Sequence, residues 1–172
     1  MAMTEALHAL AAVTAIKAKI VAAHVGTGLG LKVVQAGDMT YISVKEGDLA
    51  TFLPAVMIRP VSEAFNKGTQ GPNGKWFDDI LFRVVYVAHA NVTGSEDMWA
   101  TKMDAAQKLV CTLLDAFLLS NAVLTNGSIY DTRIERVEYI PGEEVFIREF
   151  KGDIYCVAID YRVVVEGVRN NP

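Results

Sequence analysis

Residues 74–99 read "GKWFDDILFRVVYVAHANVTGSEDMW", and the fold turns on them. The stretch leaves a Gly-rich segment, runs as a long apolar strand, and ends where a helix begins. From Ile80 to Ala90 the side chains alternate. Ile80, Phe82, Val84, Tyr86 and Ala88 share one face, and Leu81, Arg83, Val85, Val87 and His89 the other. Period-two alternation is the mark of a strand with one buried face. The first set is the more uniformly apolar and is expected to meet the core. Ser95, Glu96 and Asp97 then supply a helix cap and acidic residues suited to the helix dipole. Trp99, Met103, Ala106, Val110, Leu113 and Phe117 follow at spacings of four and three, predicting an amphipathic helix to about Ser120.

Upstream, Thr4 and Glu5 open a first helix whose apolar stripe is Ala9, Val13, Ile16 and Ile20, ended by Gly26, Gly28 and Gly30. Tyr41–Val44 and Phe52–Arg59 are short strand candidates separated by turn chemistry at 45–48. Pro54 and Pro60 assign parts of this region to an edge or to irregular structure. Residues 62–75, "SEAFNKGTQGPNGK", are polar and Gly-rich and contain Pro72-Asn73-Gly74. Loops longer than about 12–15 residues inside compact domains are usually functional or disordered.

Downstream, Arg133, Glu135, Val137 and Tyr139 alternate against Ile134, Arg136 and Glu138, a charged strand suited to a sheet edge. Residues 144–150 and 154–166 read as two strands around the turn Lys151-Gly152-Asp153. Tyr155, Val157, Ile159, Tyr161, Val163 and Val165 form one face of the last. The expectation is an α+β fold: a mixed or antiparallel β-sheet with two main helices packed on one face. Residues 1–172 form a single domain, with a long loop or extended hairpin tip at 62–75.

The 172 residues are 52% hydrophobic, and mean hydropathy is +0.26. Such apolar content suits subunit contacts as well as a generous core. Net charge is −4. With no dense Lys/Arg cluster, a tight grip on a phosphate backbone is not expected. "MAMTEALHALAAVTAIKAKI" lacks a basic n-region and is interrupted by Lys17 and Lys19, arguing against a signal peptide. No stretch approaches the roughly 18–20 apolar residues that span a bilayer. A soluble protein made in the cytoplasm, with no membrane partner, is expected.

"GTGLGLKVV" at 26–34 has Gly-x-Gly-x-Gly spacing and follows a helix, the reverse of the strand-to-helix order that cradles phosphate. His8, His24 and His89 are scattered, without the chelating spacing a transition metal needs. Asp78-Asp79 and Glu143-Glu144 are carboxylate pairs, but neighbours on a strand point to opposite faces, so neither pair converges by itself. Solvation at turns and strand ends is the expectation for both. Cys111 and Cys156 read as buried reduced thiols, with a disulfide as the second reading. No catalytic residue, cofactor or metal ligand is therefore expected. Trp76 is a candidate partner anchor or a packing residue at the strand start.

Three features together resemble the tail-terminator, or tail-completion, proteins of long-tailed bacteriophages. "DDILFRVVYVAHA" leads through "NVTGSED" into the helix "MWATKMDAAQKLVCTLLDAFLL", the charged "TRIERVEYIP" follows, and "DIYCVAIDYRVVVEG" closes the chain. The resemblance covers over half of the chain and rests on arrangement rather than a motif. It implies a non-enzymatic virion protein of the tail or neck, forming a homohexameric ring. Such a ring caps the tail tube, meets a neck or head-completion protein, and lets DNA pass through its lumen without specific binding. Six copies would carry 6 × (−4) = −24 charges. On this reading Lys67, Gln70, Asn73, Lys75 and Trp76 meet partners, and Arg133, Glu135, Arg136 and Glu138 pair across subunits. The alternatives are another head–tail connector protein, or a small α+β enzyme or ligand-binding domain with residues gathered from distant segments.

Overall fold

The computed structural model describes residues 8–27, 29–36, 53–67, 75–89, 95–115, 123–124, 127–141 and 154–168. Helix α1 spans His8–Thr27. Strand β1, Val33–Ala36, follows, then β2, Ala55–Lys67, and β3, Lys75–His89. Helix α2 covers Ser95–Asp115, before β4, Val123–Leu124, β5, Gly127–Pro141, and β6, Ile154–Val168. One six-stranded sheet has the order β1-β2-β3-β6-β5-β4. Only β1 and β2 run parallel; the other pairs are antiparallel. The fold is thus α+β, a mixed sheet with two helices on one face.

The expected inward residues build that face. Ile80, Phe82, Val84, Tyr86 and Ala88 of β3 are buried beside Val157, Ile159, Tyr161, Val163 and Val165 of β6, against Ala12, Val13, Ile16 and Ile20 of α1. In a strand paired on both sides, every second residue enters the same layer; the alternate set of Ala55, Met57, Val85, Val87, Cys156 and Ala158 is buried as well, on the opposite face. Tyr161 brings a hydroxyl into this core and hydrogen-bonds Thr132, itself buried. Burial raises the Tyr161 pKa.

Helix α2 departs from its expected stripe. Its buried residues are Ala105, Ala106 and Leu109, with Val110 partly buried, whereas Trp99 is 54% and Met103 57% exposed. The two alanines bring little side-chain bulk into the core, and the bulkier Trp99 and Met103 stay outside it. The side chains of Leu113 and Phe117 lie outside the described residues, as do the expected strands at 41–44 and 144–150 and the turn at 151–153.

The β2–β3 hairpin is longer than the polar sequence suggests. Strand pairing continues from Ser62↔Leu81 to Lys67↔Trp76, after a bulge between Pro60 and Ser62. Residues 62–67 and 75 therefore belong to strands, and 68–74 lie outside the described residues. Strand β1 covers only Ala55–Ile58 of β2. Pro60 falls beyond it, where β2 has no described outer neighbour and a missing donor is tolerated.

Cys156 is buried and Cys111 exposed, so the expectation of two buried thiols holds only for the first. Burial pushes the Cys156 thiol up to about 12. A thiol-reactive probe at neutral pH is expected to label one cysteine per folded chain, Cys111, and both after denaturation, because the thiolate is the reacting species. Labelling of Cys156 in the folded chain, read by peptide mass spectrometry, would contradict this packing.

Candidate functional site

The sheet face opposite the helices carries an array of ionised groups. Its geometry follows from two bulges in β5. Register shifts occur between Ile129 and Asp131 and between Ile134 and Arg136, so Tyr130 and Glu135 are extra residues. The second bulge breaks the simple alternation expected for 133–139. Arg133 stands opposite Arg162 and Arg136 opposite Asp160, while Ile134 and Val137 stand opposite the core residues Tyr161 and Ile159. One inserted residue resets the face of everything after it. Arg133, Arg136 and Glu138 consequently share the face opposite the helices.

Asp160 is the centre of the first cluster. It sits on β6, directly between Arg83 of β3 and Arg136 of β5. Arg83 donates from Nε to Oδ1 at 2.9 Å and from a terminal nitrogen to Oδ2 at 3.2 Å; Arg136 Nε donates to Oδ2 at 3.1 Å. Glu138 faces Arg83 at 3.3 Å and Arg136 at 3.2 Å, closing a ring of four charges. Burial alone would raise the Asp160 pKa, but the Arg83 hydrogen bond and the charges of Arg83 and Arg136 hold it below its ordinary value. The Asp160 hydrogen bond in turn raises that of Arg83.

A second cluster adjoins the first. Arg162 donates to both Asp79 oxygens at 2.7 Å and to Glu135 at 2.5 Å, and Arg133 donates to Glu135 at 2.6 Å. Those two hydrogen bonds, Arg162 first, lower the Glu135 pKa. The clusters together hold four arginines and four carboxylates, so their formal charge cancels. Such a face offers no net positive field to a polyanion.

Seven of the nine expected contact residues fall among the described residues. Arg133, Glu135, Arg136 and Glu138 come together, engaged with β3 and β6 of their own chain. Along the outer side of β5, β4 pairs only Gly127 and Ser128. Among the described residues, Ile129–Pro141 has no strand beyond it. Lys67 and Trp76 are opposite each other at the hairpin end, and Lys75 is opposite Val168. Gln70 and Asn73 lie outside the described residues.

The Asp78-Asp79 pair does point to opposite faces, but neither residue is merely solvated at a strand end. Asp79 meets Arg162, while Asp78 is buried beneath α1 with His8 Nδ1 3.3 Å from Oδ2. His8 was expected to be isolated; its contact spans 70 positions of sequence. Glu143-Glu144 lie outside the described residues, as do the side chains of His24 and His89.

Two aromatic contacts were also not foreseen. Trp99 of α2 meets Tyr139 of β5 edge-to-face at 5.8 Å, with Lys102 Nζ 5.6 Å from the Trp99 ring centre. At the other end of β5, the bulged Tyr130 meets Phe77 at 5.3 Å. Among the described residues no group of three His, Cys, Asp or Glu side chains is arranged to hold a metal. No described helix is long and apolar enough to cross a membrane.

These features define an α+β scaffold with internally compensated charges on the sheet face opposite the helices and aromatics beside a sheet edge that has no described neighbour. No family model and no curated protein matches the chain. Among solved structures it is similar to a chain of the "Virion of native gene transfer agent (GTA) particle". That match has 18% identity and TM-score 0.51, and covers 95% of this chain and 100% of the other. At this identity the likeness establishes a shared fold.

Proposed function

We propose that this chain is a structural, non-enzymatic virion protein: a tail terminator that assembles as a homohexameric ring, caps the tail tube and joins it to the neck. The observation that carries the reading is the end-to-end fold match to a virion component. Two features of the chain support it. Beyond Ser128, β5 has no described outer neighbour, an edge able to receive a strand from another copy. Trp99, Met103 and Tyr139 are exposed along that side of the molecule.

The balanced ion pairs also suit a passage for DNA. A polyanion meets arginines whose charge is already neutralised, so sliding is favoured over retention. In this role the edge residues Arg133 and Arg136 set register between subunits more than affinity. Cryo-EM of particles carrying the protein tests the reading directly. A six-fold ring at the tube end is the expected image; a chain without self-contacts, or one elsewhere in the particle, overturns it.

The hairpin supplies a separate test. Lys67, Gln70, Asn73, Lys75 and Trp76 would meet the tail tube or neck. Replacing 68–74 with a two-residue Asn-Gly turn should leave the thermal midpoint nearly unchanged, since surface loop length alters closure entropy only slowly. Assembly of infectious particles should fall. Normal particle yield from that variant would remove the hairpin tip from the partner surface.

A further inference from the structure

We infer that Asp78 and Glu63 share a single proton, and that this proton latches the first turn of α1 to the root of the β2–β3 hairpin. The placement comes from the register. Glu63 is opposite Ile80, and Phe65 is opposite Asp78, so the two carboxylates are diagonal neighbours on the helix-covered face. They lie close to the hairpin end, where Lys67 pairs with Trp76. Asp78 is only 2% exposed.

Asp78 Oδ1 and Glu63 Oε1 are both closed off from solvent and have no hydrogen-bond donor. Two ionised carboxylates can only accept, so facing one another they leave both oxygens unsatisfied. One proton removes both defects. Asp78 Oδ1–H donates to Glu63, and Oδ2 remains a carbonyl-type acceptor for His8 Nδ1–H, 3.3 Å away. His8 belongs to the first turn of α1, so the shared proton completes a connection from β2 through β3 to that helix.

The surrounding groups favour the neutral form. Burial pushes the Asp78 pKa up to about 8, reinforced by the hydrogen bond and charge of Glu63 and then by the charge of Asp79. Across the strand pairs, β6 presents Val165 and β2 presents Phe65 opposite Asp78. From α1 the facing group is His8. The nearby Arg162 lies on the other face, engaged by Asp79 and Glu135.

The sign of the pH effect follows. With 3.8 in the unfolded chain and about 8 in the folded one, the latch contributes fully below pH 3.8. Its contribution declines as pH rises and is gone above about 8. Deprotonation leaves two buried carboxylates face to face and should loosen the start of α1 from the hairpin arm. This inference does not depend on ring assembly, because every group in it belongs to one chain.

The test is a carboxyl-carbon NMR titration of the full chain, paired with amide-exchange protection in the first turns of α1. We expect the Asp78 carboxyl to titrate with a midpoint of about 8. Protection factors there should fall at least about tenfold across that midpoint, as local opening becomes more favourable. Asp78→Asn keeps a donor toward Glu63 and an acceptor toward His8 without titrating, and should abolish the fall. A midpoint below 6, or the same loss of protection in Asp78→Asn, overturns the latch. Glu63→Gln gives a second reading should Asp78→Asn fail to fold: it should lower the Asp78 midpoint, and an unchanged midpoint overturns the shared proton.

Discussion

Asp160→Ala is expected to destabilise the chain by about 2–3 kcal/mol, chiefly by stranding Arg83. Breaking a fully buried ion pair costs roughly 3–5 kcal/mol, because the remaining charge stays desolvated. Asp160 is 12% exposed at its side chain and Arg83 23%, so the cost should sit below that range. Arg83 also retains Glu138 at 3.3 Å, which softens the loss further. Arg136 is far more exposed and can turn to water. Adding Arg83→Met to Asp160→Ala should then recover about 1 kcal/mol or more, since the stranded charge is gone and a comparable apolar volume remains. Urea unfolding of the two single variants and the double variant measures the coupling. A loss below about 0.5 kcal/mol for Asp160→Ala would reduce the cluster to surface decoration.

The same variant changes the acid side of the stability profile. Asp160 has a lowered pKa when folded. Its contribution is therefore present above the unfolded value of 3.8 and lost as pH falls through the folded one. Asp78 acts in the opposite sense, losing its contribution as pH rises from 3.8 to about 8. Wild type should be most stable in mildly acidic solution. Asp160→Ala should flatten the acid limb, and Asp78→Asn the limb above it.

Much of this architecture was legible in the residues. The inward sets of β3 and β6 follow from alternation alone, because long strands paired on both sides tolerate no slip in register. The α1 stripe of Val13, Ile16 and Ile20 was equally plain. In β5 the reading failed for a specific reason. Alternation assumes one residue per step, and the bulges at Tyr130 and Glu135 add two. Clustering of Arg133, Glu135, Arg136 and Glu138 signalled a charged edge, but their intrachain partners Arg83, Asp160 and Arg162 come from distant strands. On α2, a stripe weighted by side-chain size selected Trp99 and Met103, whereas the buried residues are Ala105, Ala106 and Leu109. Asp78 looked like one half of a solvated pair. Its burial depends on α1 lying over the hairpin, a long-range contact that local spacing does not encode. One signal was available: an aspartate in phase with Ile80, Phe82 and Val84 belongs to the inward set.

The largest effect on assembly is expected from Trp99→Ala. Scattered exposed apolar residues are ordinary on protein surfaces, but Trp99 and Tyr139 are in contact, 54% and 36% exposed, with Met103 further along the same helix at 57%. They adjoin a sheet edge that lacks a described neighbour over Ile129–Pro141. A strand added there by a second copy would lie beside Tyr139, and its side chains would cover the aromatic pair. Central aromatic anchors of protein interfaces commonly contribute 2 kcal/mol or more, which corresponds to a roughly 30-fold weaker association. Trp99→Ala should therefore raise the concentration needed for self-association on tube ends by about that factor, while shifting the thermal midpoint of the isolated chain little. Leu10→Ala is the matched comparison. It too removes an exposed apolar side chain, but from α1, outside both α2 and β5, and should leave self-association unchanged. Mass photometry of mixtures with isolated tail tubes can follow both variants. Equal assembly by Trp99→Ala and wild type would place the subunit contact elsewhere on the molecule. A large fall in thermal stability instead would make Trp99 part of the chain's own packing, and the β5 edge would then need a different occupant.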